Sequence, residues 1–153
     1  MPLDVARSRS MSFDPIIDDN DGVTDGRLTM SNTIVWTDIP VVDLDRAIQF
    51  YSAVFDTKLS KEDFGGISLA VLPHAGEGGV SGCLAQMEDN KPSQYGPLIY
   101  LSVDGRLEAA SSLVEKNGGK VLAPKHPNGP YGFRAIIVDS EGNRVALHSQ
   151  SDS

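Results

Sequence analysis

Residues 34–55, IVWTDIPVVDLDRAIQFYSAVF, decide the fold. The opening half alternates: Val35, Thr37, Ile39 and Val41 fall on one face, and Trp36, Asp38 and Pro40 on the other. That is the period of a strand covered on one side. After a turn at Val42-Asp43 the period changes. Leu44, Ala47, Ile48, Tyr51, Val54 and Phe55 recur at helical spacing and form a stripe wide enough to pack on a sheet. Asp43 stands where an N-cap carboxylate accepts from the free backbone N–H groups of a first helical turn.

Working outward, residues 57–59 open a second strand, Gly65-Gly66 reads as a hairpin turn, and 67–72 form a third strand. A glycine-rich loop at 73–79, containing Gly76, Gly78 and Gly79, leads to a fourth strand at 80–86; it lacks the strand-to-helix setting of a phosphate loop. Residues 88–97 are a polar connector punctuated by Pro92, Gly96 and Pro97. The order then repeats. Residues 98–103 alternate, Leu107, Ala110, Leu113 and Val114 keep helical spacing, and Asn117-Gly118-Gly119 offers a left-handed C-cap. Strands follow at 120–123, 133–138 and 143–149, separated by a loop at 125–132 and a turn at 139–142. Val41 matches Val103 and Leu59 matches Val121, an offset of 62 in both cases. Two βαβββ modules, at 34–87 and 98–149, are the pattern of a duplicated unit.

Residues 1–29 have a different character, with six Asp, three Arg and little periodicity. They read as a disordered extension, a vector leader or upstream sequence ahead of a domain spanning 30–153. The alternative is a native arm docking through Phe13, Pro15, Ile16 and Ile17. Asp18-Asp19-Asn20-Asp21-Gly22 lacks the later ligands of a calcium loop and reads as a solvated acidic turn.

A net charge of −8 argues against nucleic acid and against anionic membrane surfaces as partners. No apolar run reaches the roughly 20 residues of a membrane span. A single cysteine, Cys83, leaves no internal disulfide and no Cys-cluster zinc site. A cytoplasmic location is expected.

The segment IPVVDLDRAIQFYSAVFDTKL resembles the first βα segment of the vicinal oxygen chelate superfamily, which holds glyoxalase I, extradiol dioxygenases and bleomycin-resistance proteins. IIVDSEGNRVALHSQ resembles its closing hairpin, with Ser140 where a proline is usual. IVWTDIPVVDLDRA with GGVSGCLAQ is similar to the bacterial glyoxalase-related branch. The resemblance covers residues 34–149. It implies an α+β fold in which two βαβββ modules build a cup-shaped curved sheet with helices outside. It also implies a homodimer.

In metal-dependent members four cup-facing positions supply His, Glu or Gln. Carried over one by one, they fall on Trp36, on Gly82 or Cys83, on Leu98 and on Ala146. Trp, Gly, Leu and Ala do not ligate a divalent ion. No metal site and no cofactor are therefore expected, which argues against glyoxalase I and dioxygenase activity.

The side chains sharing the cup are Trp36, Asp38, Leu98, Tyr100, Arg144, Ala146 and His148. Trp36, Leu98, Tyr100, Arg134 and Ala146 are the expected ligand-binding residues, with Trp36 as a flat apolar surface; the competing reading of Trp36 is packing. Asp38 and His148, assisted by Tyr100, are the candidate catalytic set, a carboxylate raising an imidazole's basicity. The structural readings are Asp38 tied to a backbone N–H or to Arg134, and His148 exposed near the end of the fold. His74 and His126 read as solvated loop histidines. Cys83 reads as a small buried apolar residue. Residues 73–79 and Asn128, Gly129, Pro130 and Tyr131 are candidate lids.

Three functions compete. The first is a binder of small molecules that lacks the usual metal ligands. The second is a metal-independent isomerase or epimerase using Asp38 and His148. The third is a metal-dependent lyase or dioxygenase with ligands shifted to Asp38, Cys83 and His148.

Overall fold

The computed structural model describes residues 32–152 except Gly78, together with two short strands further upstream. The chain divides into two units, residues 1–33 and 34–153. In the first, β1 (Val23–Thr24) pairs antiparallel with β2 (Arg27–Leu28). Phe13, Pro15, Ile16, Ile17 and the acidic run at 18–22 lie outside the described residues.

The second unit holds two four-stranded sheets and two helices. Its first module comprises β3 (Trp36–Pro40), α1 (Leu44–Phe55), β4 (Glu62–Phe64), β5 (Ile67–Val71) and β6 (Ser81–Ala85). The second comprises β7 (Ile99–Ser102), α2 (Leu107–Val114), β8 (Lys120–Pro127), β9 (Phe133–Val138) and β10 (Arg144–Ser149). The orders β3-β6-β5-β4 and β7-β10-β9-β8 are equivalent. In each, the first strand lies at an edge and runs parallel to the last, while all other neighbours are antiparallel. The two sheets do not join into one. No helix among the described residues is long and apolar enough to cross a membrane.

The helix in the opening stretch starts where its cap places it: Asp43 accepts from the Arg46 backbone N–H at 3.0 Å. Its buried residues are Leu44, Ala47, Phe50, Tyr51 and Val54. Phe50 is absent from the stripe read from the sequence. It is buried because α1 packs on α2 as well as on its own sheet, so a second side of the helix is covered. The Phe50 and Tyr51 rings meet edge-to-face at 5.0 Å. Gly119 makes this close approach available: a Cβ there would lie 2.6 Å from the Val138 carbonyl oxygen and 2.7 Å from the Phe50 ring. Gly118, at φ 92°, closes the single 3₁₀ turn that follows α2.

Two strand boundaries differ from the sequence reading by more than two residues. Residues 57–61 are not a strand; Leu59 is buried in the core, its N–H taken by the Ser52 hydroxyl at 3.0 Å, and β4 begins only at Glu62. The stretch 125–127, read as loop from its turn formers, belongs to β8. That strand is an edge strand with register shifts between Val121 and Ala123 and between Ala123 and His126. An edge with bulges is where a sheet tolerates proline, here Pro124 and Pro127.

One polar cluster ties the modules together. Asp139 is buried and accepts from the Tyr51 hydroxyl at 2.7 Å, from the Asn143 amide at 3.0 Å, and from the backbone N–H groups of Glu141 and Asn143 at 2.9 Å. Asn143 also donates to the Pro40 carbonyl at 2.8 Å. Glu141, likewise buried, accepts from Arg46 at 2.8 Å and from the N–H groups of Val42 and Asp43 at 3.0 and 2.8 Å. Burial raises the Glu141 carboxyl, but the hydrogen bonds from Arg46, Asp43, Ser140 and Val42 outweigh it and leave its pKa lowered. The closing DSEGN turn thus clamps the start of the first module. Its replacement of proline by Ser140 is accommodated, since the hydroxyl donates to Glu141 at 2.9 Å.

Candidate functional site

Each sheet buries one face beneath its helix and leaves the other open. Ile39, Ala70 and Leu84 are buried toward α1, and Leu101, Val145 and Leu147 belong to the same continuous core. Alternation sends their neighbours to the open face.

On the open face of the first sheet, Asp38 is exposed and collects two donors. The Trp36 indole N–H reaches it at 3.0 Å and the Cys83 thiol at 3.3 Å. β3 and β6 pair with Asp38 beside Cys83 and Thr37 beside Gly82. Cys83 is therefore the residue that shares the open face, which resolves the register left open between Gly82 and Cys83. The thiol is buried, and burial followed by the Asp38 carboxylate pushes it up to about 11. It stays protonated at neutral pH and serves as a donor, not as a thiolate ligand or nucleophile.

On the second sheet, Tyr100, Ala146 and Ile136 stand side by side across β7, β10 and β9, as do Ser102, His148 and Arg134. The Arg134 guanidinium donates to the Tyr100 hydroxyl and, at 3.0 Å, to His126 Nε2. His126 Nδ1 meets the Pro124 carbonyl at 2.9 Å. Since a carbonyl only accepts, Nδ1 carries the proton and Nε2 is the acceptor. His126 is thus a strand residue fixed in one tautomer and not the solvated loop histidine that its flanking prolines suggested. His148 Nε2 meets the Tyr131 carbonyl, which assigns its proton to Nε2 and leaves Nδ1 as an acceptor. The Tyr100 and His148 rings lie 6.1 Å apart, edge-to-face.

The structure therefore gathers Tyr100, Arg134 and His148, with His126 added. It does not hydrogen-bond Asp38 to His148, nor Asp38 to Arg134: Asp38 is engaged by Trp36 and Cys83, and Arg134 by Tyr100 and His126. His74 is exposed in its loop, with Nδ1 on the Gly76 carbonyl at 3.0 Å. Ala146 is fully buried on the second sheet. Tyr131, from the candidate lid, contributes its carbonyl to His148 while its ring is exposed.

Two cavities adjoin these faces. The larger, about 730 Å³, opens between the edge strands β3 and β7; Trp36, Leu98, Tyr100, Phe55 and Val80 wall it. The smaller, about 260 Å³, is polar on one side, where Asp38, Asn90, Lys91, Gln94 and Arg144 line it. Both are bounded by Ile39, Pro97 and Ile99, so one opens beside the other. Arg144 is the functional candidate whose chemistry the sequence reading left undeveloped. Its place on the alternating face was legible, but its lack of a partner was not.

A divalent ion does not fit the four positions that the resemblance points to. Trp36, Leu98 and Ala146 offer no donor, and the Cys83 thiol is held protonated against Asp38. Among the described residues no three His, Cys, Asp or Glu side chains gather in metal-binding reach, the shifted set Asp38, Cys83 and His148 included.

Comparison with known proteins accords with this architecture. The chain is 30% identical over 126 residues to a glyoxylase-like domain-containing protein of the fungus Didymella fabae, a match covering 78% of this chain and 95% of that one. A glyoxalase-related enzyme from Fulvimarina pelagi superposes with a TM-score of 0.59 at 12% identity, over 78% of this chain and 88% of the other. A glyoxalase/bleomycin resistance protein/dioxygenase family enzyme from Burkholderia phytofirmans gives a TM-score of 0.58 at 14% identity, over 77% and 98%. At those identities the two structures share the fold. The model of the Glyoxalase/Bleomycin resistance protein/Dioxygenase superfamily matches residues 33–147, three-quarters of the chain, and the protein belongs to that superfamily.

Proposed function

We propose that the protein binds a small, largely apolar molecule between its two modules and acts by sequestration or sensing. The observation that carries this reading is the cavity of about 730 Å³ walled by Trp36, Leu98 and Tyr100. Its size suits a small-molecule site, and its walls are mostly apolar with a few polar groups at the margin. Trp36 presents a half-exposed ring whose N–H is already satisfied by Asp38, which leaves its face for stacking. The donor-poor positions around it support binding without a resident metal. A homodimer in a reducing cytoplasm, in the glyoxalase-related branch, completes the proposal. The dimer and the bacterial branch carry over from the resemblance, although the curated relative is fungal; the free buried thiol suits the compartment.

Trp36 is the only tryptophan, so its emission reports on the cavity directly. Titration with 8-anilinonaphthalene-1-sulfonate should quench it with saturation. Trp36→Ala should weaken binding of the same probe, followed by the probe's own fluorescence, about tenfold or more. Unchanged affinity in a folded Trp36→Ala protein would sink the reading.

A second reading is favoured by the tautomers of the second sheet. His148 Nδ1 is an acceptor and the Tyr100 hydroxyl, which accepts from Arg134, keeps its own proton to donate. A base and an acid on one face suit proton transfer beside a carbonyl, as in an isomerase or epimerase. The test is deuterium uptake from solvent into 2-oxobutanoate. Uptake abolished in His148→Gln would support it, and wild-type uptake no faster than in buffer would reject it for that carbonyl.

A further inference from the structure

Arg144 opens β10 on the open face of the second sheet and lines the smaller cavity. Its Nε is buried and has no hydrogen-bond partner, and it takes part in none of the ion pairs among the described residues. A guanidinium is charged at every accessible pH and offers only donors. Leaving such a donor buried and unpaired is costly, so folded chains rarely keep one without a partner supplied from outside.

The neighbours do not supply that partner. Asp38 lines the same chamber with its Oδ1 accepting from Trp36 and Cys83, and neither of its oxygens forms a hydrogen bond or ion pair with Arg144. The Asn143 side chain, also at the wall, is spent on the Ser93 N–H, the Pro40 carbonyl and Asp139. The Lys91 ammonium donates to the Met87 carbonyl at 2.9 Å and brings a second positive charge. The chamber is therefore cationic on one side and shares the Ile39, Pro97 and Ile99 wall with the apolar cavity.

We propose that Arg144 docks the carboxylate of the bound molecule, whose apolar body lies in the larger cavity against Trp36 and Tyr100. The ligand class is then a monocarboxylic acid with a planar or otherwise apolar body. The proposal rests on the binding reading above and narrows it. A carboxylate matches the guanidinium fork in two parallel hydrogen bonds. A doubly charged phosphate is disfavoured, because Asp38 faces the same chamber and the chain as a whole carries a net charge of −8.

The test compares 2-naphthylacetate with its neutral amide by isothermal titration calorimetry, using the full-length protein. The acid should bind at least about tenfold tighter than the amide. Arg144→Gln should erase that preference while leaving amide affinity unchanged, and Arg144→Lys should keep part of it. Lys116→Gln, exposed on the short turn after α2 and away from both cavities, should leave the preference intact. Thermal melts establish that each variant is folded. Equal binding of acid and amide by the wild type overturns the role of Arg144 while the cavity reading stands. A preference that survives Arg144→Gln, or that disappears equally in Lys116→Gln, overturns it too. If neither probe binds at millimolar concentration, both readings fall.

Discussion

The joint between the modules and the open faces of the sheets treat polar groups in opposite ways. At the joint, every oxygen of Asp139 and Glu141 meets a donor, and the donors come from both modules: Tyr51, Arg46, Val42 and Asp43 from one, Asn143 and Ser140 from the other. On the open faces, donors and acceptors are positioned but left over: Arg144 Nε has no partner, and His148 keeps one nitrogen unused. A closed polar network specifies how two halves of a fold dock, since any other arrangement leaves a buried group unmatched. An unclosed one is the signature of a surface that something else completes.

The contrast can be broken at its strongest point first. Asp139→Ala strips acceptors from the Tyr51 hydroxyl, the Asn143 amide and two backbone N–H groups at once. A loss on the order of 3–4 kcal/mol follows, seen as a fall in Tm of more than about 10 °C. A fall of only a degree or two would mean that water replaces the carboxylate and that the joint is not a closed network. Gly119→Ala tests the same joint by crowding. The new methyl would press on the Val138 carbonyl and the Phe50 ring, and about 2–3 kcal/mol should be lost. Chemical denaturation of the two variants measures both.

Next in size is Glu141. Its folded pKa is depressed, so its contribution is present above the unfolded value near 4.5 and disappears as pH falls through the folded one. At pH 7, Glu141→Gln should be destabilised by about 1–2 kcal/mol, because Arg46 and two N–H groups keep a weaker, neutral acceptor. The gap in Tm between wild type and variant should narrow as pH is lowered from 6 to 3. A gap that stays constant over that range would show that the charge on Glu141 is not what the joint uses.

The fold was largely legible in the sequence because its signals are local. The alternation from Trp36 to Val41, the Asp43 cap and the glycines at 65–66 and 118 each dictate their own few residues, and the second copy repeats them; Val35, read as part of the covered face, precedes β3 and is exposed. Residues whose state depends on distant neighbours were harder. Phe50 lies off the α1 stripe and is buried only because α2 packs there. His126 sits among turn formers, yet an irregular edge strand carries it to Arg134. At the open faces, alternation placed Trp36, Asp38, Tyr100, Arg144 and His148 on the right side of their strands. It did not say which of them touch, because contact across a sheet depends on register and on rotamers. So the pairing of Asp38 with His148 drawn from their shared face does not appear, whereas Asp38 with Cys83 does.

The smallest effect is the sharpest discriminator. Arg144→Met keeps a side chain of similar reach at the chamber wall and removes a buried donor that nothing in the protein satisfies. If Arg144 were structural, as Asp139 is, truncating its charge would cost stability. If it is held for a ligand, the free protein should be unchanged or more stable by up to about 1 kcal/mol, since the buried, unpaired Nε–H is removed. A rise of a few degrees in Tm is the outcome that sets the open face apart from the joint. A fall of several degrees would place Arg144 in the same class as Asp139 and erase the distinction between the two regions.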